Sequence, residues 1–368
     1  MSQRLFFVVL QFWTTFCFSQ TKDDESKRST VDVNQFYGSV LLHNTDISHL
    51  ITNHPAGLIL SYNRKTYGEQ EWQQEYNYPD LGGSFVYQNM NNRTLGDVYG
   101  VFGHYNFYFL KRNMQFRLGQ GLAFATNPYD KQDNFRNNAY GSKFMSSTYV
   151  LLNFHKENII KGLGIKVGIM AIHYSNGNFK APNTSTNTLA LNAGLVYDLD
   201  GGKEKEYLVD LEKTEILEPI KYNLVFRSGL NESDVINSGQ YPFYIVSAYA
   251  DKRLGRKSAL QLGADVYFSR FLKELIKFQS ISFPEKGVSI DDDYKRIGLF
   301  VGHELFVNKM SVISQLGYYV YYPFDFEGRM YSRIGLKRYF GRKVFGALTL
   351  KSHGAKAEAV EFGIGVRL

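Results

Sequence analysis

Apolar and other residues alternate one for one over long stretches of this chain, and that period of two constrains the fold more than any other feature. Between Leu163 and Ser175, one face carries Leu163, Ile165, Val167, Ile169 and Ala171, continued by His173 and Ser175. The other carries Gly164, Lys166, Gly168, Met170, Ile172 and Tyr174. Successive side chains of a strand point to opposite faces, so such a run is a β-strand with one greasy side. The same alternation recurs at Leu260–Phe268 and again at Val360–Leu368. After Phe18 no run approaches the ~20 apolar residues of a membrane helix.

Candidate strands follow one another at hairpin spacing. They lie near 34–44, 56–63, 82–89, 98–110, 114–125, 145–155, 162–175, 187–199, 220–230, 241–253, 257–270, 294–305, 308–321, 329–340, 343–352 and 356–368. With 27 Tyr, 29 Phe and 33 Gly against 8 Pro, the composition matches an outer-membrane barrel better than a soluble β-sandwich or solenoid. The expected fold class is all-β, a transmembrane antiparallel β-barrel with an even number of strands, about 12–16. Merging the weakest early strands gives the lower counts.

Residues 1–19 have one Arg and an apolar run from Leu5 to Phe18, the pattern of a secretory signal peptide, with cleavage expected near Ser19-Gln20. Cys17 is the only cysteine, so the exported chain has neither disulfides nor thiol chemistry. Residues 20–33 read as a polar periplasmic lead-in, and 34–368 as the barrel. The formal charge of +7 is a modest excess, compatible with anionic headgroups, and no charge block suggests nucleic acid. Short turns near 111–113, 253–256, 306–307 and 341–342 alternate with longer loops near 126–144, 271–292 and 322–328. In barrels of this kind the long loops are external. That register makes the loop 176–186 external and sets His173 and Ser175 at the outer-leaflet level. Asp200–Glu218 breaks the rule as a long, charged periplasmic turn, and reads as a solvated excursion.

The hairpin Gly162–Asp198 carries the chemistry. A serine hydroxyl attacks only when a base within hydrogen-bond reach takes its proton. His173 and Ser175 leave one strand face roughly 6–7 Å apart at Cα. Asn187, leading the next strand on the same face, can fix the imidazole tautomer. Asn176 and Gly177 follow the serine, and their N–H groups or the Asn176 amide can hold an oxyanion. Against this stands the plain alternative: His-x-Ser pairs on strands are common, and Asn-Gly is also an ordinary turn. Polar groups at the end of a lipid-facing strand favour the catalytic reading.

The stretch HYSNGNFKAPNTSTN resembles the His-x-Ser-Asn signature of the lipid A 3-O-deacylase family, also called acyloxyacyl hydrolases. The likeness runs from about Gly119 to Asp198, including GLAFATNPYD, NNAYGS at 137–142 and the Pro182-Asn183 pair. The late segments VGHELF, YSRIGLKRYF and LKSHGAKAEAVEFGIGVRL look like the longer members of that family. The resemblance implies His173 as general base, Ser175 as nucleophile and Asn176 as an oxyanion donor. Small deacylases have a glutamate where this chain has Asn187, so the uncharged amide is a departure. Outer-membrane phospholipase A has a similar His-x-Ser-Asn-Gly signature and a His-Ser-Asn triad. Its Ser-Arg-Ser-Trp-Asn-Arg run is absent here, where Thr184-Ser185-Thr186-Asn187-Thr188-Leu189 stands.

The expected activity is an outer-membrane serine esterase removing an ester-linked acyl chain from lipid A in lipopolysaccharide. The alternatives are a phospholipase A-type lipase or a non-catalytic porin-like barrel. Neither a cofactor nor a metal is called for: His303 and Glu304 lie on opposite strand faces, and no histidine–carboxylate group has ligand spacing. Asp291-Asp292-Asp293 reads as a solvated loop, and His353 as a hydrogen-bonded histidine in an external turn.

Overall fold

The computed structural model describes residues 28–201, 206–209, 218–354 and 356–368. They form β1 (Ser29–Val40), β2 (Ala56–Arg64), β3 (Asp80–Asn89), β4 (Asp97–Phe109), β5 (Met114–Ala125), β6 (Phe144–Ile160), β7 (Leu163–Ser175) and β8 (Thr186–Asp198). After the linking residues 199–220 come β9 (Lys221–Asn231), β10 (Tyr241–Arg253), β11 (Ser258–Ser269), β12 (Lys295–Val307), β13 (Met310–Tyr321), β14 (Met330–Phe340), β15 (Val344–His353) and β16 (Lys356–Arg367). A one-turn helix α1 (Glu71–Glu75) precedes β3, and α2 (Arg270–Ser282) follows β11.

These strands close twice. β1 pairs with β8 from Thr30 opposite Asp198 to Val40 opposite Thr188. β9 pairs with β16 from Asn223 opposite Arg367 to Ser228 opposite Phe362. The chain is therefore two eight-stranded antiparallel barrels in series, and the single barrel expected over 34–368 is corrected. Alternation settles which face of a strand is greasy but not which strand closes on which. Any even number of antiparallel strands leaves the first and last running in opposite directions, so closure is allowed at eight as well as at sixteen. Two boundaries shift as well. Ser29–Val33 belong to β1 rather than to a lead-in, and the stretch read as an overlong turn at 200–218 connects the barrels. The expected signal peptide lies outside the described residues.

Both lumens are filled. An eight-stranded barrel is just wide enough for side chains to fill its interior. In the first, Asp32 binds Arg117 at 2.7 Å and Lys166 at 3.0 Å. In the second, Arg333 bridges Asp265 at 2.9 Å and Glu361 at 2.6 Å, while Glu304 binds Lys337 at 3.0 Å. Burying such charges is tolerable because each has a partner of opposite sign. Arg117, Arg333 and Asp265 are 0 % exposed, so no water-sized passage reaches them, which argues against an open pore. The outer walls are the reverse: Leu191 is 70 %, Leu262 65 % and Ile364 63 % exposed. Polar inside and apolar outside, with every strand edge closed, is the arrangement a bilayer requires. Among the described residues no helix is long and apolar enough to cross a membrane. The crossing is made by strands.

The barrels touch at both ends. At the linker end, the Tyr76 hydroxyl donates to the Phe306 carbonyl at 2.6 Å, Lys257 Nζ to the Glu75 carbonyl at 2.6 Å, and Arg256 pairs with Glu71 at 3.0 Å. At the opposite end, the β7–β8 loop meets the β9–β10 loop. There α2 also covers the second barrel, burying Phe271, Leu272, Leu275 and Ile276 against Phe324 and Phe326.

Candidate active site

The site lies where β7 ends and β8 begins, at the end of the first barrel opposite the linker. The exposed side chains of β7 are the odd-numbered ones, and the even-numbered Lys166, Met170, Ile172 and Tyr174 are buried in the lumen. Parity therefore puts His173 and Ser175 on the outer face, as the alternation predicts. His173 stands opposite Asn187 in the β7–β8 ladder, and its Nδ1 lies 2.7 Å from Asn187 Oδ1. An amide oxygen only accepts, so Nδ1 carries the proton and Nε2 keeps its lone pair.

Ser175 is also on the outer face but only 5 % exposed, because loop 176–185 folds back over it. Its hydroxyl donates to Asn183 Oδ1 at 3.1 Å and accepts from Asn183 Nδ2 at 3.1 Å and from the Gly177 N–H at 3.0 Å. The last bond is the local turn in which a hydroxyl captures the N–H two residues on. Among the hydrogen bonds of the described residues, none joins Ser175 to His173. The expected base–nucleophile bond is thus not formed in this arrangement, and Asn183 occupies the serine instead.

The two expected oxyanion donors are engaged too. The Asn176 N–H donates to Asn183 Oδ1 at 2.9 Å, and Asn176 Nδ2 donates to the Lys180 carbonyl at 2.7 Å. Gly177 has φ +63°, a left-handed conformation open to glycine, and this aims its N–H back at the serine. Asn183 is the residue that motif reasoning missed. Its only trace in the sequence is the Pro182-Asn183 pair in the resemblance, since an amide that folds back from a loop leaves no periodic signal.

The remaining candidates fall elsewhere. His353 ends β15 beside the turn that leads into β16, hydrogen-bonded as expected, with its ring turned inward. Its Nε2 contacts Glu358 at 2.6 Å, and its Nδ1 the Met330 carbonyl at 3.0 Å. Glu304 points into the second lumen, while His303 faces out and meets Ser258 at 2.5 Å. Asp293 pairs with Lys295 in an exposed loop.

Two family models match the chain. Residues 56–196 match the lipid A 3-O-deacylase model, and residues 220–368 match that of the acyloxyacyl hydrolase C-terminal domain. The chain belongs to the lipid A 3-O-deacylase family. Each model falls on one barrel, so this deacylase-family chain divides in sequence where it divides in structure. Membership brings hydrolase chemistry, and together with the apolar walls it points to the outer membrane. No curated protein matches the sequence. Solved structures with overlapping strands include Acinetobacter baumannii OccAB3, at 10 % identity and TM-score 0.22, covering 93 % of this chain and 98 % of that one. The transport unit of the Escherichia coli autotransporter AIDA-I overlaps at 10 % identity and TM-score 0.19, covering 96 % and 93 %. A mutant form of the Rh. blastica porin overlaps at 9 % and 0.17, covering 93 % and 99 %. Overlaps that loose set no constraint on closure or chemistry.

Proposed function

We propose that this protein is an outer-membrane serine esterase that hydrolyses an ester-linked acyl chain of lipid A, with Ser175 as nucleophile, His173 as general base and Asn187 as the orienting group. The observation that carries this is the 2.7 Å contact from His173 to Asn187, on the same outer strand face as Ser175 and within the segment matched by the deacylase family. That contact leaves Nε2 free to accept a proton. Serine rotamer changes are fast, and base–nucleophile bonds are often unformed until substrate binds.

In the reaction, Ser175 Oγ turns from Asn183 towards His173. Its proton passes to Nε2 as Oγ attacks the ester carbonyl carbon. The turn frees the Gly177 N–H and Asn183 Nδ2, the donors that now hold Oγ, to receive the oxyanion. Collapse breaks the bond to the sugar oxygen, which takes the proton from the imidazolium. Water, deprotonated by His173, then attacks the acyl-serine carbonyl carbon, and collapse releases the fatty acid as Ser175 Oγ takes its proton back from the imidazolium. No step calls for a metal or cofactor. Export by residues 1–19 completes the proposal.

Asn187 supports a second substrate reading, glycerophospholipid, because an amide in the third position resembles the phospholipase triad. Purified protein in detergent, given lipid A or phosphatidylethanolamine, decides between them. Release of fatty acid from lipid A that Ser175→Ala abolishes supports the first reading. Release from phospholipid alone supports the second, and release from neither contradicts both.

A further inference from the structure

The loop that holds Ser175 is itself held by the second barrel. Glu232, the first residue after β9, is 3 % exposed. Its Oε2 accepts the Ala181 N–H at 3.0 Å, and its Oε1 accepts the Gly239 N–H at 3.2 Å. The backbones pair as well: the Glu232 N–H donates to the Asn178 carbonyl at 3.1 Å, and Asn178 Nδ2 donates to the Glu232 carbonyl at 3.0 Å. Gln240 Nε2 reaches the Phe179 carbonyl at 2.7 Å. The wall of the second barrel closes on the turn from the other side. A Cβ at Gly177 would lie 2.4 Å from Val360 Cγ2.

These contacts converge on the groups that control the nucleophile. Ala181 lies between Lys180, whose carbonyl fixes the Asn176 amide, and Asn183, which holds Ser175 and the Asn176 N–H. A buried carboxylate accepting N–H bonds is a stronger and more directional anchor than a neutral acceptor. We infer that Glu232 is a positioning residue for the nucleophile loop, and that through it the C-terminal barrel is part of the catalytic apparatus rather than a passive extension. The inference rests on the esterase reading, because it gives Glu232 a task only if Ser175 reacts.

The role makes kcat, not KM, the sensitive quantity, since Glu232 acts on the loop and not on the lipid. Full-length protein is assayed for acyl release, with heat-modifiable gel migration confirming that both barrels are folded. Glu232→Ala is expected to lower kcat tenfold or more with KM changed less than about twofold. Glu232→Gln, which keeps one acceptor oxygen, is expected to recover part of the loss. Asp291→Asn, an exposed change on the same barrel, leaves both constants unchanged. Hydrogen–deuterium exchange supplies a readout that needs no turnover: Glu232→Ala speeds exchange across residues 176–183. An active wild type whose Glu232→Ala variant keeps kcat within twofold and exchanges this loop no faster overturns the role of Glu232 alone. A folded wild type without hydrolysis overturns the esterase reading beneath it. Should the alanine variant not assemble, a folded Glu232→Gln variant whose kcat and loop exchange both equal those of the wild type overturns the role instead.

Discussion

Asn187 faces His173 across the β7–β8 pair, amide oxygen to Nδ1 at 2.7 Å, so the imidazole is oriented by a neutral group rather than a carboxylate. An amide fixes the tautomer but does little for the imidazolium that forms when the serine gives up its proton. Asn187→Leu, which removes the hydrogen bond, is expected to lower kcat about tenfold or more, equivalent to about 1.4 kcal/mol or more of transition-state stabilisation. Asn187→Asp tests the charge. A carboxylate beside the ring favours its protonated form and raises the histidine pKa. The base must be neutral to act, so the acid limb of kcat/KM is expected to move to higher pH. A pH profile identical to that of the wild type would show that residue 187 does not reach the base.

Asn183 holds Ser175 Oγ and the Asn176 N–H at once. Asn183→Ala leaves both without that partner and removes a candidate oxyanion donor. Loss of one such donor costs about a hundredfold or more in kcat, and that range is expected here if the amide turns to the oxyanion. A change below threefold, measured on the same acyl-release assay, would confine Asn183 to holding the resting serine.

Gly177 is constrained twice, by its φ of +63° and by Val360. Gly177→Ala is expected to lower both activity and the thermal midpoint. Adding Val360→Ala relieves the contact but not the backbone strain, so the double variant should recover only in part. Full recovery would mean that the close approach of the second barrel is the sole constraint.

Inside the first barrel, Arg117→Ala strands Asp32 with Lys166 as its remaining ion-pair partner. Removing one member of a buried ion pair typically costs about 3–5 kcal/mol. Urea unfolding in detergent micelles should show a loss of that size. A loss below about 1 kcal/mol would mean that water reaches the lumen and solvates the carboxylate.

The alternation made most strands legible to within two residues, and β5 runs from Met114 to Ala125 as the pattern predicts, whereas β1 begins five residues earlier and β6 ends five residues later than expected. The same pattern placed His173 and Ser175 outward and Asn187 beside them, because parity and hairpin register are local properties. Closure was not legible. The pairing of Val33 with Leu195 joins residues far apart in sequence, and period two is the same whether sixteen strands close once or eight close twice. Hence Asp200–Glu218 looked like an overlong turn. Asn183 and Glu232 escaped for a related reason. Both act from irregular loops, Asn183 on the Ser175 hydroxyl and the Asn176 N–H and Glu232 on backbone N–H groups, where neither period nor motif marks the residue.

The most direct test is mass spectrometry of lipid A from cells carrying the wild-type chain, Ser175→Ala or His173→Ala, with each protein shown to be folded in the outer membrane. The account predicts lipid A short of one ester-linked acyl chain with the wild type, and full acylation with either variant. An unchanged acyl pattern in cells holding the folded wild-type barrels would contradict it.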